Sequence, residues 1–350
     1  MIALTLQNSN GVFDITDLTP TIKWSGNCKQ CVRTLTFDLL SSPTDKSIKN
    51  AEIANGNYVT LLQDKETLFE GVVFSLQKST EGSAISVKAY DRGIYLKKNS
   101  VVKKYSGQTP ESITRGICAE YGIETGEIVA TGIPISRNFL GVSIYDVIQT
   151  AYTLASAKTE KKYQVVFVGK KLCVKEKRVD DRTLVIEGGV NLIDATITNG
   201  IENMVNQVVI YDKNENPVKT LKNEEAIKLY GLMQSRIKQK DGEDASAEAQ
   251  KLIDDNGLEQ KITVNNIGNI ANVTGGTVVV REPYTGIYGL FFIDEDTHEW
   301  KKGIYLNKLV LNFKNTMDEK EAGSLPNKTG SKTASKKKSK DQGIVHLNLS

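Results

Sequence analysis

Apolar and polar residues alternate along most of this chain with the two-residue period of half-buried strands, and one arrangement of such runs occurs twice. In the first copy, Gly56-Asn-Tyr-Val-Thr-Leu-Leu leads through a polar turn to Phe69-Glu-Gly71-Val-Val-Phe and then to Ala84-Ile-Ser-Val-Lys-Ala-Tyr-Asp91. In the second, Gly276-Thr-Val-Val-Val leads to Tyr288-Gly289-Leu-Phe-Phe-Ile and then to Gly303-Ile-Tyr-Leu-Asn-Lys-Leu-Val-Leu-Asn-Phe313. Each copy reads as a three-strand meander whose middle strand opens near a glycine, Gly71 matching Gly289. A meander used twice is the mark of an internally duplicated β-architecture.

The remaining pattern divides the chain. Residues 1–98 read as strands at 2–6, 20–24, 32–39, 58–63, 68–76 and 84–90, a spacing that fits a barrel or sandwich. Residues 99–179 change character: Thr109-Pro110 opens a helix with Ile113, Ile117, Cys118 and Tyr121 on one face. A second helix starts at Ser143 with Asp146 in capping-box position, and a hairpin turns at Gly169-Lys170, so this stretch is a small α+β unit. Residues 180–316 return to strands at 183–186, 192–199, 205–211, 260–264, 277–282, 287–293 and 303–313, interrupted by helices within 223–255. The first of those is capped by Asn223 and carries Ile227, Tyr230, Met233 and Ile237 on its inner face. The expected fold class is therefore α+β, mainly β. Residues 317–350 read as a flexible Lys/Ser-rich tail that ends in a strand-like stub, Gly343-Ile-Val-His-Leu-Asn-Leu-Ser350.

Charge changes this picture only at that tail. The formal net charge is +3, but residues 327–342 hold six lysines against one aspartate, and removing that local +5 leaves −2 for the rest. A near-neutral body lacks the basic face that nucleic-acid binding requires. No apolar run approaches the roughly 20 residues of a membrane-spanning helix, so no membrane insertion is expected. The N-terminal Met-Ile-Ala-Leu-Thr-Leu reads as a strand, without the basic and apolar regions of a secretory signal.

Candidate chemistry is sparse. Cys28 and Cys31 form a C-x-x-C, but no second such pair exists and the two histidines are His298 and His346, so a zinc site lacks ligands. The motif leads into an alternating strand and not into a helix, which argues for ordinary reduced thiols at a strand edge. Gly330-Ser-Lys-Thr has the composition of a phosphate loop without the strand and helix that such a loop joins. Asp294-Glu-Asp-Thr-His298-Glu-Trp300 reads as a solvated polar turn between meander strands, with His298 and Trp300 capping the barrel edge. No catalytic, cofactor-binding or metal-ligating residue is assigned, no cofactor is implied, and the chain is not expected to be an enzyme.

Three stretches carry a family resemblance: Phe69-Glu-Gly-Val-Val-Phe through Val87-Lys-Ala-Tyr-Asp91; Thr109-Pro-Glu-Ser-Ile through Tyr121-Gly-Ile, Thr131-Gly-Ile-Pro and Ser143-Ile-Tyr-Asp-Val-Ile; and Gly276-Thr-Val-Val-Val through His298 to Leu309-Val-Leu. In this order they resemble the XkdQ/YqbQ-type tail proteins of defective prophages and phage-tail-like bacteriocins. Those are related to the late-control-D and T4-type baseplate hubs. The resemblance covers roughly residues 1–315. It implies two tube-like β-barrel domains, 1–98 and 180–316, around the small α+β domain. It also implies a homotrimeric, pseudo-sixfold hub in the virion or particle baseplate, assembled in the bacterial cytoplasm. The implied partners are the tail tube or tube-initiator protein, the trimeric spike and other baseplate proteins. The alternative is a tail-associated peptidoglycan hydrolase or carbohydrate-binding protein, for which Asp294 or Asp296 would be the acidic group. A further alternative is an adaptor that recruits a partner through the 343–350 stub.

Overall fold

The computed structural model describes residues 1–42, 51–79, 83–181, 183–240, 242 and 244–326. The Gly330-Ser-Lys-Thr stretch and the 343–350 stub lie outside the described residues. The first unit contains β1 (Ile2–Asn8), β2 (Gly11–Asp14), β3 (Thr21–Asn27), β4 (Thr34–Leu40), β5 (Tyr58–Gln63), β6 (Glu66–Lys78) and β7 (Ala84–Tyr90). Their order across the sheet is β3-β4-β7-β6-β5-β1-β2. Alternation sets the faces: in β4 Leu35, Phe37 and Leu39 are buried while the residues between them are half-exposed.

The middle unit holds α1 (Gly93–Lys98), β8 (Ser100–Gln108), α2 (Pro110–Glu120), β9 (Thr125–Ile128), β10 (Ile135–Ser143), α3 (Ile144–Thr159), β11 (Lys162–Val168) and β12 (Lys171–Lys177). Ser143 caps α3 as expected: its Oγ accepts from the Asp146 amide at 3.0 Å and donates to Asp146 Oδ2 at 2.8 Å. At α2 the cap differs. Pro110 takes the first helical position, but the Thr109 side chain makes no cap bond, and the first turn is closed by Ile113 N–H donating to the Thr109 carbonyl at 2.9 Å.

The last part begins with β13 (Leu184–Glu187) and β14 (Leu192–Gly200). A small unit follows, made of β15 (Gln207–Tyr211), β16 (Pro217–Lys222), α4 (Glu224–Tyr230), β17 (Gln234–Lys238) and α5 (Ser246–Asp255). Then come β18 (Glu259–Ile267), β19 (Thr277–Glu282), β20 (Ile287–Lys301) and β21 (Ile304–Asn312). The expected helix through Ile237 is corrected here. Asn223 caps α4, accepting from the Ala226 amide at 3.0 Å, but the helix stops at Gly231, whose φ is +83°. Residues 234–238 then pair in parallel with β15, placing Ile237 against Val208 and Ile210 in a core shared with Ala249 and Ile253. The inserted stretch thus keeps both helices, α4 and α5, but adds β17 to β15 and β16 in a separate three-stranded sheet that α5 covers.

The first and last units share one 13-stranded sheet. The last unit's order is β14-β18-β21-β20-β19-β13, which repeats β3-β4-β7-β6-β5-β1 strand for strand. The repeat extends to register. Tyr58 pairs with Val72 as Thr277 pairs with Phe292; Val73 pairs with Ala89 as Ile293 pairs with Leu311; Leu35 pairs with Ala89 as Ile262 pairs with Leu311. Corresponding core residues follow: Val59 and Val278, Leu61 and Val280, Phe37 and Val264, Val87 and Leu309. One strand departs from the repeat, since β13 runs parallel to β19 whereas β1 runs antiparallel to β5. No ladder closes either unit into a barrel among the described residues.

This register corrects the glycine match. Gly71 lies opposite Val59 and Phe291 opposite Val278, so Gly71 corresponds to Phe291, and Gly289 to Phe69. Each unit carries one buried phenylalanine at this pair of positions, Phe69 in the first and Phe291 in the second, two residues apart in register. A Cβ on Gly71 would lie 2.4 Å from Phe69 Cζ, which shows that the Phe69 ring occupies the space above it.

Candidate functional site

The stretch Asp294–Trp300, expected as a solvated turn, is the second half of the 15-residue strand β20. One edge of β20 is covered by β21. The other is divided: β19 takes residues 287–292, and beyond an irregularity at Asp294 the first unit's β3 takes residues 295–301. Here β20 crosses from one unit to the other, and its inward side chains Asp296 and His298 are completely buried. A bulge at this point re-aims the strand so that both partners fit.

Charge at the seam is neutralised across a long sequence separation. Arg33 Nη1 donates to Asp296 Oδ1 at 3.0 Å, and Nη2 donates to Oδ2, a two-pronged contact with a carboxylate that has no solvent exposure. Thr274 adds its amide to Asp296 Oδ1 at 2.7 Å. Burial alone would raise the Asp296 pKa; the Arg33 charge, the His298 contact and the hydrogen bonds outweigh it and hold the carboxyl well below the usual carboxylate range. The guanidinium also stacks 3.9 Å from the Trp24 ring centre, and Trp24 packs 4.7 Å from the His298 ring.

His298 is held from its other side. Asn307 Oδ1 accepts from the Asn269 amide at 2.7 Å and from Asn272 Nδ2 at 3.0 Å, which turns Asn307 Nδ2 toward His298 Nδ1 at 2.9 Å. Tyr305 Oη lies 2.7 Å from the same nitrogen. With Nδ1 accepting, the ring proton sits on Nε2, 3.2 Å from Asp296 Oδ2. Trp300 and Tyr305 stack at 4.5 Å beside it.

The C-x-x-C turn joins this seam to the middle unit. Cys28 N–H donates to the Asp294 carbonyl at 2.7 Å, while Cys31 and Val32 enter the middle-unit core beside Ile94, Leu96 and Met317. Burial, then the nearby Asp294 charge, pushes the Cys28 thiol up to about 11, and burial pushes Cys31 well above its ordinary value. These are packing thiols with little thiolate at neutral pH. Arg33 itself is pinned through its amide, which donates to Asp91 Oδ2 at 3.1 Å, and Gly93 N–H donates to Asp91 Oδ1 at 2.9 Å. Burial nevertheless raises the Asp91 carboxyl to about 7.

A strap completes the junction. Residues 315–326, of which 317–326 fall in the expected flexible tail, run back over the middle unit. Lys177 Nζ donates to the Thr316 carbonyl at 2.6 Å, Tyr145 Oη to Asp318 Oδ2 at 2.7 Å, and Asn138 and Ser324 exchange two backbone bonds at 2.8 Å each. Glu319 bridges Lys162 of the middle unit and Lys251 of α5. These residues are ordered because Met317 fills the middle-unit core and the hydrogen bonds of Lys177, Tyr145 and Asn138 tie the strap to that unit. Core membership therefore runs across residues 98/99 and 316/317.

A cleft of about 1100 Å³ opens where the three units meet, with Trp24, Arg33, Gln164, Lys177, Asp180 and Thr274 in its lining. Among the described residues no group of three or more His, Cys, Asp or Glu is placed to hold a metal ion. The acidic pair named for a hydrolase is committed to structure: Asp296 as above, and Asp294 as acceptor from Asn312 Nδ2 at 2.9 Å and Thr316 Oγ1 at 3.2 Å. The sequence singles out Asp296 and His298, with the aspartate expected in solvent and the histidine capping an edge, and no motif in it marks Arg33. The available signal was an arginine beside a strand of buried alternation, with an acidic residue inside another.

Two duplicated sheet units, fused by a shared strand and clamped by a small α+β unit, define a phage-tail-type fold. A 43 kDa tail protein of prophage MuSo2 from Shewanella oneidensis superimposes with a TM-score of 0.69 at 12% identity, over 89% of this chain and 97% of that one. An E. coli type VI secretion component, described as structurally similar to the T4 tail proteins gp27 and gp5, superimposes at 0.52 and 9% identity, over 88% of this chain and 77% of its own. In sequence, the phage-like element PBSX protein XkdQ of Bacillus subtilis (strain 168) is 24% identical over 308 residues, 85% of this chain and 93% of that protein. The chain belongs to the YQBQ-like family, whose model matches residues 22–312.

Proposed function

We propose that this protein is the structural hub of a contractile-tail baseplate, in a phage or a phage-tail-like particle, and catalyses no reaction. In this reading the 1–98 and 180–316 units are tube-like domains that complete their barrels in the assembly. Three chains then present six near-equivalent units. Such a ring matches a hexameric tail tube on one side and a trimeric spike on the other, so the chain converts threefold into sixfold symmetry. Its place is the particle baseplate, built in the bacterial cytoplasm.

The observation that carries the reading is the register-level repeat, strand order and pairing partners alike, within one chain. The test is the mass of the purified protein, alone and mixed with the tube protein of the same particle, by native mass spectrometry. The expected species is three chains of 38.6 kDa each, free or capping a tube ring. A monomer or dimer under both conditions overturns the proposal.

A further inference from the structure

The repeat leaves one pairing unmatched. In the last unit the edge of β20 beyond the Asp294 irregularity is covered by β3 from the other unit, over seven residue pairs from Glu295↔Asn27 to Lys301↔Thr21. The first unit has the same edge. Its strand β6 carries a register shift between Val73 and Ser75, at the position equivalent to Asp294, and β5 covers β6 only up to Val72. Among the described residues, Ser75–Lys78 pair with β7 on one side and with no strand on the other. Likewise, among the described residues, β14, the equivalent of β3, pairs only with β18 and forms the end of the sheet.

We infer that β14 of one copy of this chain adds to the β6 edge of a second copy, in the register that β3 and β20 use within the chain. This rests on the trimer reading above and deepens it by naming the interface. Register fixes the pairs. Trp24 lies opposite Leu35 as Ile197 lies opposite Ile262, so Trp24 corresponds to Ile197. Carrying the β20–β3 ladder over gives Ser75 opposite Gly200, Leu76 opposite Asn199, Gln77 opposite Thr198 and Lys78 opposite Ile197.

Burial supports the same edge. Ile22 and Trp24 of β3 are buried in the first core, whereas their counterparts Ala195 and Ile197 of β14 pack only partly against the second core. Leu76 packs only partly against the first core. Open backbone groups and half-covered apolar residues on one strand are what strand addition satisfies. The second copy is the occupant because the chain already seats its own equivalent strand on the equivalent edge. A heterologous contact of this kind, repeated by rotation, generates a ring. The interface between copies differs from the seam in one respect: Leu76 stands where Asp296 is, and Gln260 where Arg33 is, so it forms without burying a charge pair.

Cysteine pairs in the full-length chain test the register. Gln77→Cys with Thr198→Cys and, separately, Leu76→Cys with Asn199→Cys place thiols directly opposite, and one of two adjacent pairs occupies the closer, non-hydrogen-bonded site. Mild oxidation of the assembled protein is expected to give covalent trimers on non-reducing gels from at least one pair. Gln77→Cys with Thr196→Cys, two residues out of register, is expected to give none. A trimer by mass that cross-links at neither aligned pair, or equally at the displaced pair, overturns the ladder and leaves the trimer standing. Covalent oligomers longer than three keep the ladder and overturn ring closure. A chain that stays monomeric with its tube protein overturns both.

Discussion

At one corresponding site the first sheet unit carries Phe69 and Gly71, and the second carries Gly289 and Phe291. Both units bury one ring there and leave one bare backbone, but from opposite positions. The backbone geometry differs with the choice: Gly71 is hemmed in by the Phe69 ring and the Tyr90 carbonyl, whereas Gly289 sits in open space at a φ of +133°. The same two units diverge at their long strands. Beyond its irregularity, β20 carries the buried Asp296 and His298, while β6 carries Leu76 and Lys78. Duplication has preserved strand order and register, and allowed individual residues to change wherever a neighbour compensates.

The largest effect should come from breaking the seam that only the second unit has. Arg33→Met leaves the Asp296 carboxylate buried without its cation, and should cost about 3–5 kcal/mol in urea-melt stability. Arg33→Met combined with Asp296→Leu should recover most of that loss. A double variant as unstable as the single one would show that the pair does more than neutralise charge.

The glycines should respond next, and unequally. Gly71→Ala puts a methyl group 2.4 Å from both the Phe69 ring and the Tyr90 carbonyl, and overpacking of that kind costs about 1–3 kcal/mol. Gly289→Ala meets no neighbour and should lose about 1 kcal/mol, the lower end of the strain cost at a positive φ, with no steric clash added. Calorimetric Tm values for the two variants check the order, and a reversal would undo the assigned correspondence.

Two of the buried carboxylates, Asp296 and Asp91, should impart opposite pH trends. Asp296 has a lowered pKa, so its contribution is present above about 3.8 and lost as the pH falls below that value. Asp91 is raised from 3.8 to about 7, so the folded chain keeps a proton there that the unfolded chain releases. Its contribution is full below about 4 and declines up to about 7, by at most about 1.4 kcal/mol per pH unit. Stability of Asp91→Asn relative to the parent should therefore rise across pH 4 to 7, as denaturant melts at several pH values would report.

The smallest effect should be at the strap. Tyr145→Phe removes the hydroxyl that bonds Asp318, costing about 1 kcal/mol and exposing residues 315–326 to protease before either sheet unit. Hydrogen exchange that is equal in the strap and in the sheets would contradict this.

Much of the fold was legible along the chain because its causes are local. Period-two alternation marks the strands of both meanders, and Ser143 with Asp146 marks the start of α3. The errors have a common origin in contacts distant in sequence. Asp294–Trp300 reads as a polar turn because its acidic residues look solvated, yet the arginine that neutralises Asp296 lies 263 residues away. Met233 and Ile237 fit a helical face as well as they fit a strand, and the open edge of β15 decided between them. The strap reads as linker because its composition is polar, while Met317 and its partners on the middle unit give it an ordered path.

The sequence by itself determined that this is a duplicated, mainly β chain without a recognisable catalytic motif, because alternation and motif spacing are properties of neighbouring residues. Only the tertiary structure decided that the two copies share one sheet through β20, that Gly71 corresponds to Phe291, and that Arg33, Asp296 and His298 form the joint. Register and charge pairing are relations between strands, and a buried carboxylate is tolerable only once its distant cation has been brought beside it.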